Sequence, residues 1–269
     1  MSLRPLRVTA ALRTRFLARF LARFLDVLAS IYLYNEHRGY TALDRVIEAV
    51  EARHPHDTAF IAAIAQHRAD ERKHYIMFRR WFEVRGRMPL NVDHTCGHID
   101  RFIETVFGCP IDALDTSGVV SSAAQFEALC RVIMLTEQRG MRQIAVLLGN
   151  RHVLSDKILT RIFRIVEKDE PRHWMPYAVW LAEHGCQPPR WRERWADFWI
   201  HKSLMLIKLP ALFLRASTPR MARWPDADEA VALRQWSAAA CTGAESVTAT
   251  PALTKNSTGI AAQHRIAIM

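Results

Sequence analysis

The sequence predicts an all-α chain built on a four-helix bundle, with one long crossover between the second and third helices. Three observations carry this. Apolar residues recur at helical spacing over four stretches of roughly 25 residues or more. The ten Gly and twelve Pro of the 269 residues fall mostly between those stretches. Two Asp-Glu-x-x-His pentads, Asp70 to His74 and Asp169 to His173, each lie deep inside a helical pattern. Glu at i and His at i+3 share a helix face, so each pentad offers a carboxylate and an imidazole together to a neighbouring helix.

The first helix is expected from about Leu12 to Arg53. Arg15, Arg19 and Arg23 recur at four-residue spacing, which gathers cations on one face and leaves Phe and Leu on another. Glu36 sits further along, in an apolar turn with Tyr32, Leu33, Tyr40 and Leu43. His54-Pro55-His56-Asp57-Thr58 reads as a turn with Asp57 or Thr58 as N-cap. The second helix, about Ala59 to Val84, carries Glu71 and His74 and stops at Arg85-Gly86-Arg87.

Residues 88–118 form the crossover, with a short helix near Ile99 to Phe107. The stretch Asp93-His94-Thr95-Cys96-Gly97-His98 reads as a loop and helix cap, or as a minor metal site. The third helix runs from about Val119 to Leu148, carries Glu137 and closes at Gly149-Asn150. The fourth is expected to start with Ser155 as N-cap and to reach about His184, carrying Glu170 and His173. Pro171 and Pro176 predict a kink in it, since each removes a backbone hydrogen bond. After Pro188-Pro189 a fifth helix carries Trp191, Trp195 and Trp199, followed by the apolar run Leu204 to Leu214. The expected organisation is a bundle over 1–188, a Trp/Arg-rich helical extension over 189–225 and a mostly disordered tail over 226–269, where the sequence turns to Ala, Ser, Thr and Gly.

A net charge of +10 points to an anionic partner: a membrane surface, an acidic carrier protein or nucleic acid. The cations are spread along helices instead of forming a reading motif, which argues against nucleic acid. Five scattered cysteines without a C-x-x-C predict free thiols in a reducing, cytoplasmic compartment. No run approaches the length of a transmembrane span, and the N-terminal apolar stretch is broken by arginines. The basic amphipathic ends, at Arg15 to Arg23 and in the Trp-rich helix, predict peripheral contact with the inner face of a membrane.

The two halves repeat. Glu36-His37-Arg38-Gly39 matches Glu137-Gln138-Arg139-Gly140, and Asp70-Glu71-x-x-His74 matches Asp169-Glu170-x-x-His173, each offset by about a hundred residues. With a rise of about 1.5 Å per residue, each lone Glu lies at roughly the same height in its hairpin as the Glu-x-x-His opposite, some 20–28 Å from the turn. Docking the two hairpins therefore gathers Glu36, Glu71, His74, Glu137, Glu170 and His173 at one level. Four buried carboxylates cannot stay ionised without a partner. Two divalent cations balance them, and an oxygen-rich set with one His per ion suits iron or manganese better than structural zinc. Asp70 and Asp169 can each accept from the outer N–H of a ligand His. Gly39 and Gly140, on the ligand side, make room for close helix approach or for O₂ and substrate. Tyr40, Tyr75 and Trp174 are near the ligands in sequence.

On these residues, over about 10–185, the chain resembles the ferritin-like di-iron carboxylate superfamily. Asp169-Glu170-x-Arg172-His173 is similar to the Asp-Glu-x-Arg-His form of soluble acyl-carrier-protein desaturases and bacterial multicomponent monooxygenases. Lys73 stands where Arg would in the first pentad, and Pro171 also departs from that form. The resemblance implies two Fe ions (Fe/Mn or Mn as variants), with O₂ as co-substrate and a ferredoxin- or reductase-type electron donor. It implies a hydroxylase or desaturase acting on an apolar substrate, lipid-like or a carrier-bound acyl chain. The alternative is a ferritin-like protein that oxidises iron or scavenges peroxide without an organic substrate. A homodimer is compatible with either.

Overall fold

The computed structural model describes residues 5–215 and 218–227, with side chains from residue 18 onward. The described residues up to Pro225 belong to one compact unit. The tail expected after Trp236, with Cys241, lies outside the described residues.

Among the described residues the chain is all-helical, its one β-bridge pairing Leu90 with Arg220. Four helices are long: α1 (Pro5–Arg53), α2 (Thr58–Glu83), α5 (Ala123–Leu148) and α7 (Lys157–Glu183). Between them lie α3 (His98–Phe107), α4 (Thr116–Ser121) and α6 (Arg151–Leu154), and after them α8 (Trp191–Ser203) and α9 (Leu209–Leu214). α1 starts seven residues before the expected Leu12, and a proline at the first helical position suits that start.

Local chemistry sets the ends. The Asp57 carboxylate accepts from Phe60 N and caps α2. α7 is capped by Asp156, which accepts from Leu159 N, and not by the expected Ser155. The expected third helix is two elements: Asp115 caps α4, and Ser122 in extended conformation separates it from α5. Gly108, at φ 74°, ends α3 in the left-handed region that glycine tolerates. α7 is one continuous helix through Pro171 and Pro176. Their missing N–H groups release the carbonyls of Glu167 and Arg172, both exposed residues, so water can satisfy them.

α1 pairs with α2, α5 pairs with α7, and the two hairpins meet through α2 and α7. α1 and α5 scarcely touch, and α3, α4 and α8 fill in around them. The core is layered. One apolar layer holds Leu43, Val46, Phe60, Ile64, Phe126, Ile133, Tyr177 and Trp180. The other holds Leu28, Leu33, Phe78, Trp81, Ile144, Leu159, Phe163 and Val166. Each long helix passes from one layer to the other, and the residues between are the polar ones: Glu36, His67 to His74, Glu137, and Asp169 to His173.

Candidate metal centre

The polar station forms two overlapping groups that could each hold a metal ion. Glu36, Glu71 and His74 bring ligand atoms within 4.8 Å of one another, and so do His67, Glu71, Glu137 and His173. Glu71 belongs to both. His74 Nδ1 is 3.3 Å from Glu36 Oε2, and His173 Nδ1 is 3.3 Å from Glu71 Oε1. His67 Nε2 lies 3.7 Å from Glu71 and 3.8 Å from Glu137. Glu170 stands at the edge, its Oε2 3.9 Å from His173 Nδ1 and outside both groups.

The electrostatics describe a cluster lacking positive charge. Burial, then repulsion from Glu137, pushes the Glu36 carboxyl up to about 8; burial, then Glu36, does the same to Glu71. Glu137 and Glu170 are also raised far above the ordinary value by burial and neighbouring carboxylates. Burial lowers His67 to about 3 and His173 to about 4, so both are neutral imidazoles at pH 7, the form that ligates metal. His67 Nε2, His74 Nδ1, His173 Nδ1 and Glu170 Oε2 are buried without a hydrogen-bond partner. Buried polar atoms are ordinarily paired. The orphaned atoms belong to the residues of the two groups or, for Glu170, stand beside them, and their nitrogen and oxygen donors could hold metal ions.

The glycines complete the fit. A Cβ on Gly39 would stand 2.3 Å from Glu71 Oε2, and one on Gly140 would stand 3.3 Å from Glu170 Oε1. Each therefore makes room on its helix for the carboxylate of the helix it pairs with.

The aspartates support the histidines crosswise. Asp169 Oδ2 on α7 is 3.1 Å from His74 Nε2 on α2, while Asp70 Oδ2 on α2 is 3.7 Å from His173 Nε2 on α7. Lys73 Nζ reaches Asp70 at 2.5 Å and Asp169 at 2.6 Å. Arg172 mirrors it, reaching Asp70 at 3.1 Å and bonding Asp169. Lys73 thus does for one pentad what Arg172 does for the other. Burial raises both aspartates, but polar neighbours outweigh it and hold them below their ordinary values: His173 and Lys73 act on Asp70, Lys73 and His74 on Asp169. Asp169 thus fixes His74 with its free nitrogen toward the centre, while Asp70 faces His173 beyond hydrogen-bond reach.

Two contributors were not expected. His67 lies one turn before Glu71 on the same face of α2, and its ring stacks on His173 at 4.3 Å. Tyr177, one turn after His173, places its hydroxyl 3.4 Å from His67 Nδ1. Tyr40 and Tyr75 pack with His37 in a ring cluster, and Trp174 packs against the first apolar layer. The Asp93 to His98 stretch behaves as a cap, with Asp93 accepting from Thr95 N, Cys96 buried and His98 bonded to Asp197. Cys96, Cys109, Cys130 and Cys186 are free thiols.

A cavity of about 130 Å³ opens beside the centre, between α1 and α5. Its wall is mostly aliphatic, with Leu43, Val46, Ile103, Leu129 and Ile133, and Glu36, Glu71, Glu137 and Glu170 also line it. The wall's other polar groups are largely engaged. Arg45 donates to the carbonyls of Ile111 and Leu114, Arg139 and His98 share Asp197, and Gln143 meets His201. The Tyr32 and Thr136 hydroxyls and His98 Nδ1 are buried there without a hydrogen-bond partner.

The chain matches no family model, no curated protein and no solved structure.

Proposed function

We propose that the chain is a ferritin-like di-metal oxidoreductase that uses O₂ to hydroxylate or desaturate an apolar, lipid-like substrate. One observation carries this reading: two Glu/His groups joined through Glu71 form part of the wall of an aliphatic cavity. Two iron ions, or iron with manganese, supply O₂ activation when bound. Glu36, Glu71 and His74 would hold one ion, and His67, Glu71, Glu137 and His173 the other, with Glu170 beside them.

The chain's residues divide the remaining work. The aliphatic wall binds a hydrocarbon segment and excludes water from the reacting bond. It leaves no unpaired cation for an ionic headgroup, so a polar end would lie outside. The Tyr32 and Thr136 hydroxyls, without hydrogen-bond partners in the same wall, would be available to a polar atom of the bound substrate. Hydroxylation takes R–H, O₂, two electrons and two protons to R–OH and water, so an electron donor of ferredoxin or reductase type completes the reaction. The cavity favours an organic substrate over iron oxidation alone.

The test is metal analysis of anaerobically purified protein, followed by O₂ exposure while the optical spectrum is recorded. About two transition-metal ions per chain and a new absorption band are expected. Less than one ion per chain with an unchanged spectrum overturns the reading.

A further inference from the structure

α8 is built inside-out. Its buried stripe is Glu193, Asp197 and Ile200, continued by Leu204 in the turn that follows. Both carboxylates of the helix are therefore internal. Glu193 accepts from the buried Arg131 at 3.0 Å, and Asp197 is held by His98 and Arg139. The outer face carries Trp191, Trp195, Phe198 and Trp199, all exposed, with Trp191 at 71%. The last three rings pack on one another at 5.7–5.9 Å. Arg192 and Lys202 lie over Trp191 and Phe198.

The following turn extends the face. Pro210 supplies no N–H, and the preceding residues Leu204–Lys208 widen into a π-helix closed by Leu209 N on Leu204 O. The wider turn keeps Leu204 against the cavity while Met205, Leu206 and Ile207 face outward, Leu206 at 70% exposure. α9 then rests on α1 through Phe213 against Phe20, which is itself exposed. From Arg190 to Arg215 the chain holds six Lys or Arg (Arg190, Arg192, Arg194, Lys202, Lys208, Arg215) and no exposed carboxylate.

We propose that this face docks on an anionic phospholipid bilayer, with the Trp rings at headgroup level and the Leu204–Lys208 turn against the acyl boundary. Amphipathic rings rimmed by cations suit that interface. A second copy of the chain is a poor occupant, since a two-fold contact would set these cations against themselves. Leu204 lines the cavity while Met205, next in the chain, faces outward, so a lipid-like substrate would reach the cavity from the membrane side. That last step rests on the function proposed above; the docking does not.

Flotation of the full chain with vesicles tests it. Binding to phosphatidylcholine mixed with phosphatidylglycerol, and little to phosphatidylcholine alone, is expected. Tryptophan emission should shift to the blue and be quenched by acyl-brominated lipid. The Trp195→Ser/Trp199→Ser variant, and independently Leu206→Ser/Ile207→Ser, should lower vesicle affinity by about tenfold or more, with metal stoichiometry and circular dichroism unchanged. No flotation overturns the proposal, as do flotation insensitive to both variants, a dimer that these variants dissociate, and binding only to an acidic carrier protein. Metal stoichiometry, measured without vesicles, reports separately on the proposed oxidoreductase.

Discussion

His67 and Tyr177 meet across the α2–α7 contact, ring nitrogen to hydroxyl at 3.4 Å, and each stands where the internal repeat has an apolar residue. The counterpart of His67 is Val166, and that of Tyr177 is Phe78. The duplication is thus broken at two positions that face each other, and one half of the centre gains an imidazole. With Nε2 on an ion, Nδ1 would carry the proton and donate to the Tyr177 oxygen. The two ions should therefore bind unequally. In a metal titration, His67→Ala should weaken one binding event at least about tenfold and spare the other, while Tyr177→Phe has a smaller effect in the same direction.

The glycine pair should also respond unequally. In Gly39→Ala the new methyl would overlap the carboxylate of Glu71, which serves both ion groups. The carboxylate can swing away, but only by leaving its ligand position. Loss of both binding events is expected, with helix content intact by circular dichroism. Gly140→Ala asks Glu170 for a few tenths of an ångström and should retain most metal.

Crossed support makes the aspartates equivalent in effect though they stand on different helices. Asp169→Asn removes the charged acceptor from His74, and Asp70→Asn removes the carboxylate charge that faces His173 at 3.7 Å. Each should lower metal affinity by about 10–100-fold. If each aspartate acted only on its own helix, the spectroscopic change would follow the wrong histidine, which isotope-labelled imidazole NMR of diamagnetic Zn-loaded protein can read.

Protonation gives the metal-free protein a distinctive pH profile. Glu36 and Glu71 have folded values near 8, above the ordinary 4.5, so the native state keeps protons that the unfolded chain releases. Their contribution to stability is complete below about 4.5 and is lost as pH rises through about 8. His67 and His173 run the other way, losing stability as pH falls from the ordinary 6.5 toward 3–4. Between pH 6.5 and 8 only the carboxylates act, so the melting temperature of metal-free protein should fall across that window. Added divalent ion should raise it most at the alkaline end, since binding displaces those protons.

Arg131 offers a control remote from the ligands. It is 1% exposed and pairs with Glu193 and Glu127. Arg131→Ala leaves Glu193 buried without its partner and should cost about 3–5 kcal/mol in denaturant unfolding. Metal stoichiometry of the surviving folded protein should be unchanged.

Much of this was legible in the sequence because it is periodic. Helical spacing located the long helices, and the repeat singled out Glu36, Glu71, His74, Glu137, Glu170 and His173. The same reliance on symmetry hid His67, whose counterpart is a valine, although its place four residues before Glu71 on one helix face was available. Ser155 and Asp156 are adjacent capping residues, and spacing alone cannot choose between them. The partner of each aspartate depends on how two helices dock, which no local pattern encodes. Pro171 lies inside one continuous helix, and the residue whose carbonyl it frees, Glu167, is exposed. The inverted polarity of α8 was masked because Glu193 and Asp197 read as surface residues until Arg131, His98 and Arg139 are seen behind them.

The exchange of supports between α2 and α7 has a consequence for assembly. A hairpin folded alone holds its histidine without the carboxylate that orients it, and holds an aspartate with no imidazole to serve. The two groups differ here: Glu36, Glu71 and His74 all stand on the α1–α2 hairpin, whereas His67, Glu71, Glu137 and His173 come from both hairpins. An ion held by the second group would rivet the α2–α7 seam. A chain cut in the crossover should therefore regain that second binding event only after its fragments reassociate.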